Sequence, residues 1–196
     1  MSDAGASTQT RTVEGVQVPT AGTFEIDPVH SHVGFSVRHM MVAKVRGRFT
    51  SVSGTIQVAD DPTASSVEVD IDAASIDTRD DTRDGHLRSP DFLDVETYPK
   101  LTFRSTGVTV KGTGSFAVPG ELTIHGVTRP VELEVTYEGM NPKDPFGMQR
   151  LGFTAETEID REDFGLTWNQ VLETGGVMVG KNVKIELEIE AVRPAA

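Results

Sequence analysis

Cysteine is absent from the 196 residues, which excludes a disulfide framework, a cysteine nucleophile and thiolate metal sites. That absence leaves either redox compartment open. Basic residues are few: 18 Lys+Arg stand against 30 Asp+Glu, a formal net charge of −12. Such a chain lacks the basic field that non-specific nucleic-acid binding, or docking on anionic lipid, requires. No run approaches the 18 or so consecutive apolar residues of a membrane-spanning helix, so an integral membrane protein is not expected. The first residues lack a basic region followed by an apolar stretch, and the simplest expectation is a cytoplasmic protein. Enzyme motifs are equally scarce. There is no G-x-S-x-G elbow, no P-loop, no H-E-x-x-H and no G-x-G-x-x-G opening a helix. A triad assembled in space leaves no such trace, so catalysis stays open as an alternative.

What is present is ordinary globular composition, 37% hydrophobic and 24% charged, in a length that suits one domain with a sizeable core. Residues 1–22 are polar and Gly/Ser/Thr-rich and read as a flexible N-terminal arm, leaving residues 23–193 as the domain. Only Asp3, Arg11 and Glu14 of the charged residues fall in the arm. The acidity therefore belongs to the fold.

Period 2 dominates that domain. Val67, Val69, Ile71 and Ala73 alternate with Glu68, Asp70 and Asp72; Val131, Leu133, Val135 and Tyr137 alternate with glutamates and Thr136. The same pattern runs from Leu151 to Ile159 and from Val183 to Ala191. One row buried and one row wet is the mark of antiparallel strands, since a parallel sheet covered on both faces reads as continuous Val/Ile/Leu. Less regular strands are predicted at 23–26, 33–39, 45–58, 101–110 and 115–124, the last broken at Pro119-Gly120. Eight or nine strands in one domain curl into a barrel or split into a sandwich. One short helix is predicted between two strands, capped by Thr78 with Asp81 and stopped by Pro90, and a helical turn at 161–166.

Candidate sites are sparse. His30 and His32 fall on the same side of an extended segment, a possible start for a metal site, but no third ligand accompanies them and no metal is expected. His39 shares parity with Val33, Phe35 and Val37, placing a polar group within or at the rim of an apolar interior. Such a group needs a partner to offset its desolvation. Arg38, Lys44, Arg46 and Arg48 form a local basic cluster that suits a phosphate or pyrophosphate head group at a barrel mouth. Outer-face solubility competes with that reading.

Ordered motifs then add a resemblance. Residues 24–41 (FEIDPVHSHVGFSVRHMM), 45–49 (VRGRF), 86–94 (HLRSPDFLD) with Tyr98-Pro99, 120–131 (GELTIHGVTRPV), 159–165 (IDREDFG) and 180–183 (GKNV) together resemble the YceI-like family, polyisoprenoid-binding proteins of lipocalin-like shape. The resemblance covers nearly all of residues 23–192. It implies an all-β fold, an extended lipocalin-like eight-stranded antiparallel barrel with a short inserted helix, enclosing an elongated apolar cavity. It also implies a long-chain isoprenoid lipid, polyprenyl or quinone-like, as bound ligand rather than any cofactor, and a homodimer.

The strand rows are compatible with a lipid-filled interior or a solid core; the low aromatic content, 6%, favours the hollow one. The positions expected to line it are Phe24, Phe35, Val37, His39, Phe49, Phe103, Phe116, Leu133, Phe153, Trp168, Ile185 and Leu187. The leading expectation is a non-catalytic lipid carrier. A histidine-dependent enzyme and a ligand-free structural or dimerisation module are the alternatives.

Overall fold

Alternation of side chains fixes which face of each strand is apolar, and burying every such face at once requires the sheet to close. The computed structural model describes residues 10–13, 15–173 and 175–195, and in it the sheet does close. The strands are β1 (Thr10–Val13), β2 (Val16–Pro19), β3 (Gly22–Ile26), β4 (His32–His39), β5 (Ala43–Phe49), β6 (Val52–Val58), β7 (Ser66–Asp72) and β8 (Ile76–Asp77). After the helix α1 (Asp81–Arg88) come β9 (Lys100–Ser105), β10 (Thr109–Gly112), β11 (Ser115–Ile124), β12 (Val127–Asn141), β13 (Met148–Asp160) and β14 (Val179–Pro194).

Pairing joins several of these into single staves. The long β14 pairs with β4 along Val179–Glu188 and with β3 at Ala191 and Val192, so β3 and β4 are one stave interrupted at residues 27–31. In the same way β5 and β6 pair with β4 and β3, and β8 and β7 pair with β5 and β6. The ring runs β14, β3/β4, β5/β6, β7/β8, β9, β11, β12, β13 and back to β14. It is an eight-stranded antiparallel barrel, with β10 added beside β11 and the β1–β2 hairpin outside the ring. Among the described residues, no helix is long and apolar enough to cross a membrane.

Three expected features differ. The predicted strand 45–58 breaks at Thr50-Ser51, where the Ser51 amide donates to Ser75 Oγ at 3.1 Å and Thr50 Oγ1 donates to the Ser75 carbonyl at 3.2 Å. Local side-chain bonds there replace the ladder. The strand predicted to break at Pro119 instead runs through. Its carbonyl accepts from the Thr106 amide at 2.8 Å, so its absent N–H faces the gap between β9 and β10 and costs the β11–β12 ladder nothing. The helix is capped by Asp80, whose side chain accepts from the Arg83 amide. Thr78 is buried instead, held by Asp84 through both its amide and its hydroxyl.

The N-terminal segment also departs from a flexible arm over its described part. β1 and β2 form a hairpin in which Gln17 O accepts from Tyr137 Oη at 3.0 Å and Arg11 donates to the carbonyls of Asp60 and Ala59. Residues 1–9 and Glu14 lie outside the described residues. The hairpin sits at the barrel end that contains Gly22 and Val192. The helix end, opposite, carries α1, the β4–β5 turn and a 3-10 turn at Arg161–Phe164.

Candidate ligand-binding site

The inward rows do not meet across the barrel. Between them lies a cavity of about 560 Å3, within the roughly 300–1,000 Å3 typical of small-molecule sites. It runs from Val16, Val18, Pro19 and Val58 at the hairpin end to Leu87, Phe92, Leu166 and Val179 at the helix end. Its wall is built from alternate positions of each strand, for example Val67, Val69 and Ile71 on β7, and Val131, Leu133 and Val135 on β12. Among the described residues, the titratable groups in the wall are Arg11, Tyr137 and Arg161. Burial pushes the Tyr137 phenol up to about 12, so it stays neutral, its ring packed at a tilt against Phe153 with centroids 5.4 Å apart.

Of the expected lining positions, Phe35, Val37, Phe49, Phe103 and Phe116 border the cavity, as do Leu133, Phe153, Ile185 and Leu187. Three do not. Phe24 points inward but is fully buried in solid packing with Leu151 and Ala191, and the Arg193 guanidinium lies 4.4 Å from its ring centroid. His39 ends β4 opposite Val179, and although Val179 borders the cavity the imidazole does not. Trp168 sits outside any strand, so parity gave its ring no direction; it packs on His86 and Phe92, one layer behind the wall.

The basic cluster is not a cavity mouth. Arg38, Lys44, Arg46 and Arg48 take the positions alternating with Val37, Val45, Gly47 and Phe49, and strand parity turns all four to the exposed outer wall. Arg48 is engaged there by Asp77 at 3.2 Å. The histidine pair is also separated, because residues 28–30 form a turn rather than extended chain. His30 Nδ1 meets Asp27 at 2.9 Å, while His32 stands opposite Glu188 on the outer face. Asp27, His30 and Glu190 do converge, but Arg150 Nη1 already lies 2.7 Å from Asp27 and 2.9 Å from Glu190. The guanidinium fills the cation position.

Comparison with known proteins follows the same architecture. The profile of the YceI-like domain matches residues 24–191. The chain belongs to the YceI-like family. A UPF0312 protein of Staphylococcus epidermidis is 39% identical over 171 residues, spanning 85% of this chain and 95% of that protein. Among solved structures, BcnA of Burkholderia cenocepacia superimposes with a TM-score of 0.73 at 25% identity, covering 84% of this chain and 98% of that one. A polyisoprenoid binding domain from Saccharophagus degradans, implicated in plant cell wall breakdown, shares the fold with a TM-score of 0.64 at 18% identity, covering 87% and 98%.

Two groups of YceI-like wall residues escape a strand-by-strand reading. Val16, Val18 and Pro19 come from the segment expected to be a flexible arm, although Val16 and Val18 flank Gln17 with the same alternation. Arg161, the first residue of the 3-10 turn after β13, continues the inward parity of Leu151, Phe153, Ala155, Thr157 and Ile159. Its parity was visible, but a charged residue in an acidic turn motif does not advertise burial.

Proposed function

We propose that the protein is a non-catalytic carrier that holds a long-chain isoprenoid lipid, polyprenyl or quinone-like, inside the barrel. The observation that carries this reading is the cavity itself: about 560 Å3, elongated, and walled by aliphatic and phenyl side chains from all eight staves. Each methylene taken from water into such a space contributes about 0.8 kcal/mol, so a linear chain gains far more than a compact polar metabolite. The wall lacks a carboxylate or imidazole among the described residues, which supports binding over acid–base chemistry. Family membership and the polyisoprenoid-binding relative of the same fold support the isoprenoid class.

Native mass spectrometry of gently purified protein tests the proposal. A co-purifying apolar species of several hundred daltons is expected, together with displacement of a fluorescent apolar probe by added polyprenol. Ala155 borders the hollow, so A155F is expected to fill it, keep the fold and lower probe capacity severalfold. An apo mass with no probe uptake by the parent protein would sink the reading.

A further inference from the structure

Arg161 is the anomaly of the cavity wall. It opens the 3-10 turn just past β13, where it continues that strand's inward row, and is only 4% exposed. Its Nε donates to the Gly180 carbonyl at 2.9 Å and its Nη1 to the Leu166 carbonyl. The Nη2 group is buried and has no hydrogen-bond partner among the described residues. Both of its acceptors are neutral backbone oxygens. The neighbouring carboxylates are otherwise engaged, Glu162 by Lys181 Nζ at 2.7 Å and Asp160 by the Glu162 amide at 2.9 Å. A buried cation with an idle donor is costly unless something supplies an acceptor, and best of all an anion.

We propose that Arg161 anchors the ligand's head group: the cargo is a long-chain amphiphile whose terminal anionic oxygen, on a phosphate or a carboxylate, accepts from Arg161 at the helix end. The chain then runs toward the β1–β2 hairpin. This assignment rests on the lipid-carrier reading and adds to it an orientation and a head-group class. Burial pushes the Arg161 guanidinium below its ordinary range, Glu162 and Asp160 pulling the other way, the situation a bound anion relieves. The opposite end offers a contrast. Arg11 also borders the cavity with an unpaired Nε, but it donates to the Asp60 and Ala59 carbonyls at 2.7 and 3.0 Å and has the Asp60 carboxylate at 3.5 Å. Its charge is already answered within the protein.

The test is a matched twenty-carbon series, comprising geranylgeranyl phosphate, geranylgeranoic acid, geranylgeraniol and the parent hydrocarbon, titrated against the full chain by probe displacement. The wild type is expected to bind at least one of the two anionic members tenfold or more tighter than the alcohol and hydrocarbon, and which member wins separates phosphate from carboxylate. R161M is expected to bind all four at the hydrocarbon's affinity, while R11M keeps the preference. Should R161M fail to fold, the wild-type series decides, together with the Arg161 Nε–H resonance, which is expected to shift with the favoured anion and not with the hydrocarbon. Equal binding of all four by the wild type, a preference that survives R161M, or one lost in R11M instead, overturns the anchor while leaving the lipid carrier standing. Failure of the wild type to bind any member overturns both.

Discussion

Gly47 and Gly120 show how single residues keep the interior hollow. A β-carbon on Gly47 would lie 2.4 Å from Phe35 Cζ, and one on Gly120 would lie 2.4 Å from Phe103 Cζ and 2.7 Å from the Arg104 carbonyl. Each phenyl ring therefore rests against bare backbone and lies along the wall instead of spanning the cavity. Alanine at either position forces the ring off its seat, at a cost of about 1–3 kcal/mol for overpacking. Urea denaturation of G47A and G120A is expected to show midpoints lowered accordingly; unchanged midpoints would mean the rings move freely. The inward rows were legible at this scale because a strand's period is an integer, so parity carries from one end to the other. Phe24 and His39 show its limit, since parity states the face and not whether that face meets packing, solvent or hollow. The same rule, extended one position past Ile159, reaches Arg161.

The elements add what parity omits, namely where strands stop and what closes the ends. Three adjacent staves break at the same height, between β3 and β4, β5 and β6, and β7 and β8. Hydrogen bonds across the breaks, from the Thr50 amide to the Ser75 carbonyl and from the Asp72 amide to the Ser51 carbonyl, each 3.1 Å, keep them aligned. The break between β3 and β4 was expected, the predicted strands ending at 26 and resuming at 33. No local signal announced those at 50–51 and 73–75, because Thr, Ser and Ala are tolerated within strands and the partners lie more than 20 residues away. The helix was legible through its acidic start and Pro90, but its anchor was not. Asp84 is 5% exposed and accepts from the Thr78 amide at 2.9 Å and from the Thr78 hydroxyl, while Arg83 Nε donates to the same hydroxyl at 2.7 Å. D84A leaves a buried amide without its acceptor, at about 1–3 kcal/mol. Loss of thermal stability together with faster hydrogen exchange at 78–88 is expected, and slow exchange there in D84A would place the anchor elsewhere.

At the scale of the whole molecule, the net charge of −12 is spread over an outer wall that repels itself. Glu134, Glu156 and Glu186 stand side by side on three neighbouring strands, and Lys184 bridges the latter two at 2.8 and 3.2 Å. Near the hairpin end, Arg150 does more. It joins Asp27 between β3 and β4, Asp144 in the β12–β13 loop and Glu190 on β14, at 2.7, 2.7 and 2.9 Å. Burial alone would raise the Asp27 carboxyl, but hydrogen bonds from Arg150, His30 and the Val29 amide outweigh it and hold the group at about 2, against an ordinary 3.8. Asp144 is lowered as well, by the Met148 amide first and by Arg150. A carboxyl depressed in the folded state stabilises it fully above the unfolded value and loses that contribution as pH falls through the folded one. For Asp27 the contribution is on the order of 2 kcal/mol at neutral pH, lost between about pH 4 and pH 2. R150M removes the cation these carboxylates share and is expected to cost about 2–3 kcal/mol at pH 7, the partial exposure of the cluster discounting a fully buried pair. Its stability is also expected to fall less steeply than the parent's from pH 4 to pH 2, because Asp27 then titrates nearer its unfolded value. Parallel urea titrations of the two proteins at pH 7, 4 and 2.5 check both parts, and equal slopes below pH 4 would show that Arg150 does not set the acid limit of the barrel.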